Sequence, residues 1–202
     1  MEKIDYKKEL KHLYKPSVKD VEVVEVPQMN FLMIDGEGDP KSQSFQDAVK
    51  VLYPLSYNIK FFIKRGEIGI DYGVLPLEGL WWAKDMTAFS ELRKEEWLWT
   101  MMIMQPELVN KAMVTKAIKE VKQKKNPVAL PLVRFESFTE GKAAQIMHIG
   151  PFSEEGPTVE KIHTFIGKSG NQLIGKHHEI YLSDIRRAAP EKWKTIIRQP
   201  MS

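Results

Sequence analysis

Two stretches of the chain spell the same strand: Trp99-Thr100-Met101-Met102-Ile103-Met104-Gln105-Pro106 and Trp193-Lys194-Thr195-Ile196-Ile197-Arg198-Gln199-Pro200. The Trp, Ile, Gln and Pro positions are identical and keep one spacing (193 − 99 = 200 − 106 = 94). A looser match joins Met33-Ile34-Asp35-Gly36 to Met147-His148-Ile149-Gly150, 114 residues further on (147 − 33). An internal repeat constrains the architecture before any single element is read.

Working outward, each copy reads alike. The first opens with a strand near 21–34, broken by Gly36, Gly38 and Pro40. Ser44 with Asp47 resembles a capping box. The helix that follows to Lys64 carries Phe45, Val49, Leu52, Ile59 and Ile63 at helical spacing, with Pro54 expected to kink it. Strands near 70–82 and 96–105 complete the copy. The second has strands near 130–137 and 143–149 and a helix near 157–166 striped by Val159, Ile162 and Ile166. Strands near 173–182 and 193–198 close it. The predicted fold is α+β: a single domain over 1–202, with two β-α-β-β repeats (about 20–105 and 130–200) and a linking helix over about 106–125. Antiparallel sheets related by a pseudo-two-fold axis, with a ligand cleft between them, are the expected arrangement.

Strand alternation sorts the faces. Trp193, Thr195 and Ile197 share a face expected to pack on a helix, as do Trp99 and Ile103. The opposite face of the first copy carries Leu98, Thr100, Met102 and Met104, and adaptable methionines suit a ligand surface. Ile180 and Leu182 are expected to face the helix together with His178, leaving Glu179 and Tyr181 for the cleft. In Pro76-Leu77-Glu78-Gly79-Leu80-Trp81-Trp82 the same logic sends Trp81 inward and Glu78 and Trp82 to the cleft. An offset of 101 (179 − 78) makes Glu78 the counterpart of Glu179. Tyr53, Tyr57 and Phe61 form a second helical stripe, which is either more packing or a binding surface.

Composition excludes several classes. The 202 residues hold no cysteine, so disulfides, thiolate metal sites and Cys nucleophiles are absent. His177 and His178 face opposite ways on a strand and the other histidines are scattered, so neither metal nor other cofactor is predicted. A net charge of +3 with dispersed Lys and Arg gives no nucleic-acid footprint. The charged N-terminus lacks a signal-peptide core, and no apolar run reaches spanning length, so a cytoplasmic protein with no membrane partner is expected. Composition does not set the oligomeric state.

Several segments carry a family resemblance: Asp5-Tyr6-Lys7-Lys8-Glu9-Leu10-Lys11 with Leu13-Tyr14, Leu52-Tyr53-Pro54-Leu55-Ser56-Tyr57 with Lys60-Phe61, Pro76–Trp82, and Glu179-Ile180-Tyr181-Leu182-Ser183-Asp184 with Arg186-Arg187. Together with the doubled β-α-β-β order they resemble the GyrI-like small-molecule-binding proteins. The closer likeness is to a stand-alone subfamily with members that hydrolyse strained cyclopropane rings in DNA-alkylating natural products. That resemblance implies an aromatic cage and a pocket-floor glutamate at Glu179.

Two functions follow from one pocket chemistry. The first is a detoxifying hydrolase for flat aromatic xenobiotics, with Glu179 and Tyr181 catalytic and Glu78 the alternative to Glu179 as the working carboxylate. Tyr53, Tyr57, Glu78, Trp82, Met102 and His148 would bind the ligand. Aromatic faces stack on planar ligands, a carboxylate among them is suited to acid–base work near neutrality, and Tyr181 would hydrogen-bond a substrate carbonyl. The second is a non-catalytic binder or sink for cationic aromatic drugs, held by the acid and by cation–π attraction. A gyrase-directed interaction module is disfavoured by the positive net charge. The charged loops near 83–95 and 183–192 are read as solvated connections or rims.

Overall fold

The computed structural model describes residues 2–202. In chain order the elements are β1 (Glu2–Ile4), α1 (Tyr6–Glu9), α2 (Lys11–Tyr14), β2 (Glu22–Val26), β3 (Met29–Glu37), α3 (Gln43–Arg65), β4 (Ile70–Tyr72), β5 (Leu77–Ala83) and α4 (Thr87–Ser90). Then come β6 (Trp97–Gln105), α5 (Lys111–Lys124), β7 (Arg134–Phe138), β8 (Gly141–Ile149), α6 (Gly156–Lys168), β9 (His177–Tyr181) and β10 (Lys194–Pro200). The mixed α/β class and the antiparallel sheet pairing agree with the sequence reading. The small parallel pair β1–β4 was not anticipated.

The chain divides into two compact units, and the division does not follow the two copies. The first unit takes residues up to Tyr6, Met29–Leu77 and Trp81–Phe138; the second takes Lys7–Gln28, Glu78–Leu80 and Thr139–Ser202. The strand expected over 21–34 is in fact two strands, cut at Pro27, which has no N–H to give a ladder. β3 stays in the first unit, while β2 joins β8 in the second. Reciprocally, β7, read as the opening of the second copy, pairs with β3 in the first unit.

In the first unit β3 runs antiparallel between β6 and β7. α3 covers one face: Phe45 meets Trp99 edge-on at 5.3 Å and stacks on Trp81 at 5.9 Å, and Gln105 Nε2 donates to Ser56 Oγ. The Trp99 face thus packs on the helix, as its apolarity predicts. α3 starts two residues earlier than the capping-box reading, because Ser42, not Ser44, accepts from the Phe45 N–H. It runs unbroken through Pro54. α5 begins at Lys111, later than the expected 106, where Asn110 caps it by accepting from the Met113 N–H. In the second unit the strand order is β2-β8-β10-β9, all antiparallel. α6 packs Ile162 and Ile166 on Ala144, Ile146 and Ile197.

Gly36 sits opposite Trp99 in the β3–β6 register. A Cβ there would lie 2.2–2.7 Å from three carbons of the indole ring, so only glycine lets that ring lie across the strand. Gly36→Ala is expected to cost about 1–3 kcal/mol of stability through overpacking, measured by urea denaturation. Gly73→Ala, which meets nothing within 4 Å, should change stability by less than about 0.5 kcal/mol. Equal effects of the two substitutions would contradict the packing assignment.

Candidate functional site

β10 lies between β8 and β9, with Ile197 opposite both Ile146 and Glu179, and Thr195 opposite both His148 and Tyr181. Directly opposed residues share a sheet face. Glu179, Tyr181, Thr195 and His148 therefore point to the side that α6 covers. This corrects the expected phase of β9: Ile180 and His178 face away from α6, and Glu179 and Tyr181 face toward its side. The apolar pair misled because both faces of this strand set are buried, so apolarity does not mark the helix side.

On the α6 side an acidic cluster assembles. Glu179 accepts a hydrogen bond from the Tyr181 hydroxyl at 2.7 Å on Oε2 and faces His177 Nε2 at 3.2 Å on Oε1. Its side chain is 17% exposed, so it is reachable yet sheltered. Glu155, at the start of α6, is 7% exposed. Burial first, and then the negative charge of Glu179, push its carboxyl up to about 9, so it is neutral at pH 7. Phe152 meets Tyr181 edge-on at 5.7 Å and Trp193 at 5.1 Å, giving the cluster an aromatic rim. The arrangement pairs a proton-holding acid with an acceptor, as acid–base chemistry requires. Sequence reasoning found Glu179 and Tyr181 but missed Glu155, which lies in a turn next to Gly156-Pro157. Its one signal was an acid at a helix start.

On the other face Glu78 is fully buried and belongs to a separate network. It accepts from the Tyr14 hydroxyl at 2.9 Å and contacts His178 Nε2 at 3.0 Å. His178 Nδ1 lies 2.9 Å from Glu140 Oε1, and Arg198 donates to Glu140 Oε2 at 3.1 Å. Arg198 also donates to Gln145 Oε1 and to the Leu13 carbonyl, and Gln145 donates to the His12 carbonyl. Two acids thus face two bases, with their polar atoms matched. Burial alone would depress His178, but the charges and hydrogen bonds of Glu140 and Glu78 outweigh it and hold the imidazolium up to about 9. Glu78 and Glu179 are therefore on opposite faces and do not form a pair. Tyr14, Glu140, Gln145 and Arg198 escaped the sequence reading because they meet only through long-range contacts.

The remaining candidates separate. Tyr53, Tyr57, Trp82 and Met102 lie in the first unit, and His148 in the second. Tyr57 is half exposed on α3 and stacks on Phe61 at 6.5 Å, Tyr53 and Trp82 are half-buried, and Met102 is fully buried. His148 Nδ1 is 3.0 Å from Thr158 Oγ1 of α6, a structural contact. Among the described residues no group of three or more His, Asp or Glu is placed to hold a metal ion, and no helix is long and apolar enough to cross a membrane.

The GyrI-like small molecule binding domain matches residues 19–201, and the chain belongs to that family. It is 44% identical to an uncharacterized conserved protein from Listeria innocua, covering 98% of this chain and 100% of that one, with a TM-score of 0.90. Another Listeria innocua protein, described as a hydrolase, is 42% identical over 98% of this chain and 100% of its own, with a TM-score of 0.86. The C-terminal domain of EcmrR, at 13% identity over 91% of this chain and 97% of its own, shares the fold with a TM-score of 0.56. No curated protein matches the chain.

The His178 network makes a pH prediction. Folded His178 keeps its proton to about pH 9, whereas an unfolded histidine loses it near 6.5. Its stabilisation is therefore complete below about pH 6.5 and fades as pH rises to 9. His178→Leu should cost about 3–5 kcal/mol by stranding two buried acids and should remove this part of the pH dependence. Thermal unfolding of both proteins from pH 6 to 10 checks this, and an unchanged pH profile in the variant would contradict it.

Proposed function

We propose that this GyrI-like protein binds flat aromatic xenobiotics at the Glu179 cluster and hydrolyses strained, cyclopropane-bearing, DNA-alkylating members of that class. The observation that carries the reading is the pair Glu155–Glu179, in which one carboxyl is held neutral beside a second that accepts from Tyr181. The hydrolase description of a relative at 42% identity supports catalysis over simple binding. In the proposed reaction a water oxygen bonds to a ring carbon and its proton passes to Glu179. The strained C–C bond breaks, and its electron pair moves into the conjugated carbonyl. That oxygen takes a proton from the Tyr181 hydroxyl, which recovers one from Glu179 along the hydrogen bond between them, and so ends as a hydroxyl. The net change is the addition of one water. Phe152, Tyr181 and Trp193 supply faces and edges for a planar ligand. The Trp-x-x-x-Ile-x-Gln-Pro strand in both units supports reading them as duplicates of one β-α-β-β element.

The same ring-lined acid also favours a second reading, a sink that holds cationic aromatic compounds without changing them. Incubation with a cyclopropane-bearing aromatic compound, followed by mass spectrometry, separates the two. A product heavier by one water is expected, and tight binding with no mass change would support the sink. Glu179→Gln should lower turnover by about 10²–10⁴-fold while affinity for the ring-opened product changes little. Undiminished turnover in that variant would overturn the role of Glu179.

A further inference from the structure

We propose that Glu155 and Thr195 together seat the water that adds to the substrate, beside Glu179; this rests on the hydrolase reading above. Two buried polar atoms in the second unit lack a hydrogen-bond partner at this spot: Glu155 Oε1 and Thr195 Oγ1. Their residues are 7% and 1% exposed, so bulk solvent does not satisfy them. Leaving such a group unpaired in the interior is unfavourable, and two at one place call for a shared partner. A buried water, which makes about 2–4 hydrogen bonds to otherwise unsatisfied groups, fits both.

The chemistry of the two groups suits the task. Thr195 and Glu179 both lie within hydrogen-bonding reach of the Glu155 carboxyl, so the three meet in one place, although neither Glu155 Oε1 nor Thr195 Oγ1 has a well-formed direct bond. A neutral Glu155 directs its hydroxyl to Glu179 and leaves its carbonyl oxygen to accept from the water. The Thr195 hydroxyl fixes the water from β10, a rigid central strand. Glu179 has Tyr181 on Oε2 and His177 on Oε1, which hold its carboxyl in one orientation. As the water oxygen bonds to the ring carbon, its proton passes to the Glu155–Glu179 pair, which goes from one bound proton to two. The electron pair of the broken C–C bond ends on the substrate carbonyl oxygen, which takes the added proton back from the pair through the Tyr181 hydroxyl, leaving the pair as it began. No oxidant or second reactant is needed.

Thr195→Val removes the hydroxyl at nearly constant shape, and Thr195→Ser keeps it. A high-resolution crystal structure of the unaltered chain should show one water bonded to both Thr195 Oγ1 and Glu155 Oε1, lost in Thr195→Val. With a cyclopropane-bearing aromatic compound as probe, kcat should fall about 10²-fold in Thr195→Val with KM nearly unchanged, and Thr195→Ser should restore it. A loss through general misfolding would move KM as well. A direct Thr195–Glu155 hydrogen bond with no intervening water, alongside normal turnover, overturns the seat and leaves the hydrolase reading standing. The water present in a chain that binds the probe without turnover overturns the hydrolase reading and leaves the seat.

Discussion

The constraint on which the second unit depends is the clamp on His178. Its imidazole sits between Glu78 and Glu140, both about 3 Å away and all three buried. A buried charge without partners is prohibitive, so once His178 is charged it has one stable place, between those two acids. Because successive strand residues alternate, fixing His178 on one face fixes His177, Glu179 and Tyr181 on the other. The ion network therefore acts as a register device for the acidic cluster beside α6. Arg198 and Gln145 extend it to the carbonyls of Leu13 and His12, which ties α2 to the same face.

The two faces of β9 consequently carry different chemistry. One is closed, charge-balanced and hydrogen-bonded throughout, a pattern that stabilises and specifies. The other holds a neutral Glu155, a partly exposed Glu179 and unpaired polar atoms, a pattern that is costly for stability and is found where function demands it. Family membership places small-molecule binding in the domain as a whole. The asymmetry of β9 is what directs attention to the α6 side within it.

Much of the fold was legible in sequence because it rests on local periodicity and short-range repeats. The α3 stripe from Phe45 to Ile63 and the doubled Trp-to-Pro strand both lead to the observed elements, whereas Gly36, read as a strand breaker, lies inside β3. What sequence did not reveal was partner choice. β2 and β7 read as the opening strands of their own copies, yet each pairs in the other unit, because Pro27 frees the chain to turn and strand pairing is decided by tertiary packing. The candidate site was half legible for a related reason. Glu179 and Tyr181 lie two apart on one strand and reveal themselves together. Glu155 reaches them from a turn 24 residues earlier (179 − 155), and Glu78 looked like their partner only because strand phase was counted from Ile180 and Leu182.

Titration of the His178 imidazole by NMR tests the clamp most directly. The account predicts that this histidine stays protonated through neutrality, with a midpoint near pH 9. A midpoint at or below the ordinary 6.5 would mean that the two acids do not hold it, and that β9 is not fixed in the way the acidic cluster requires.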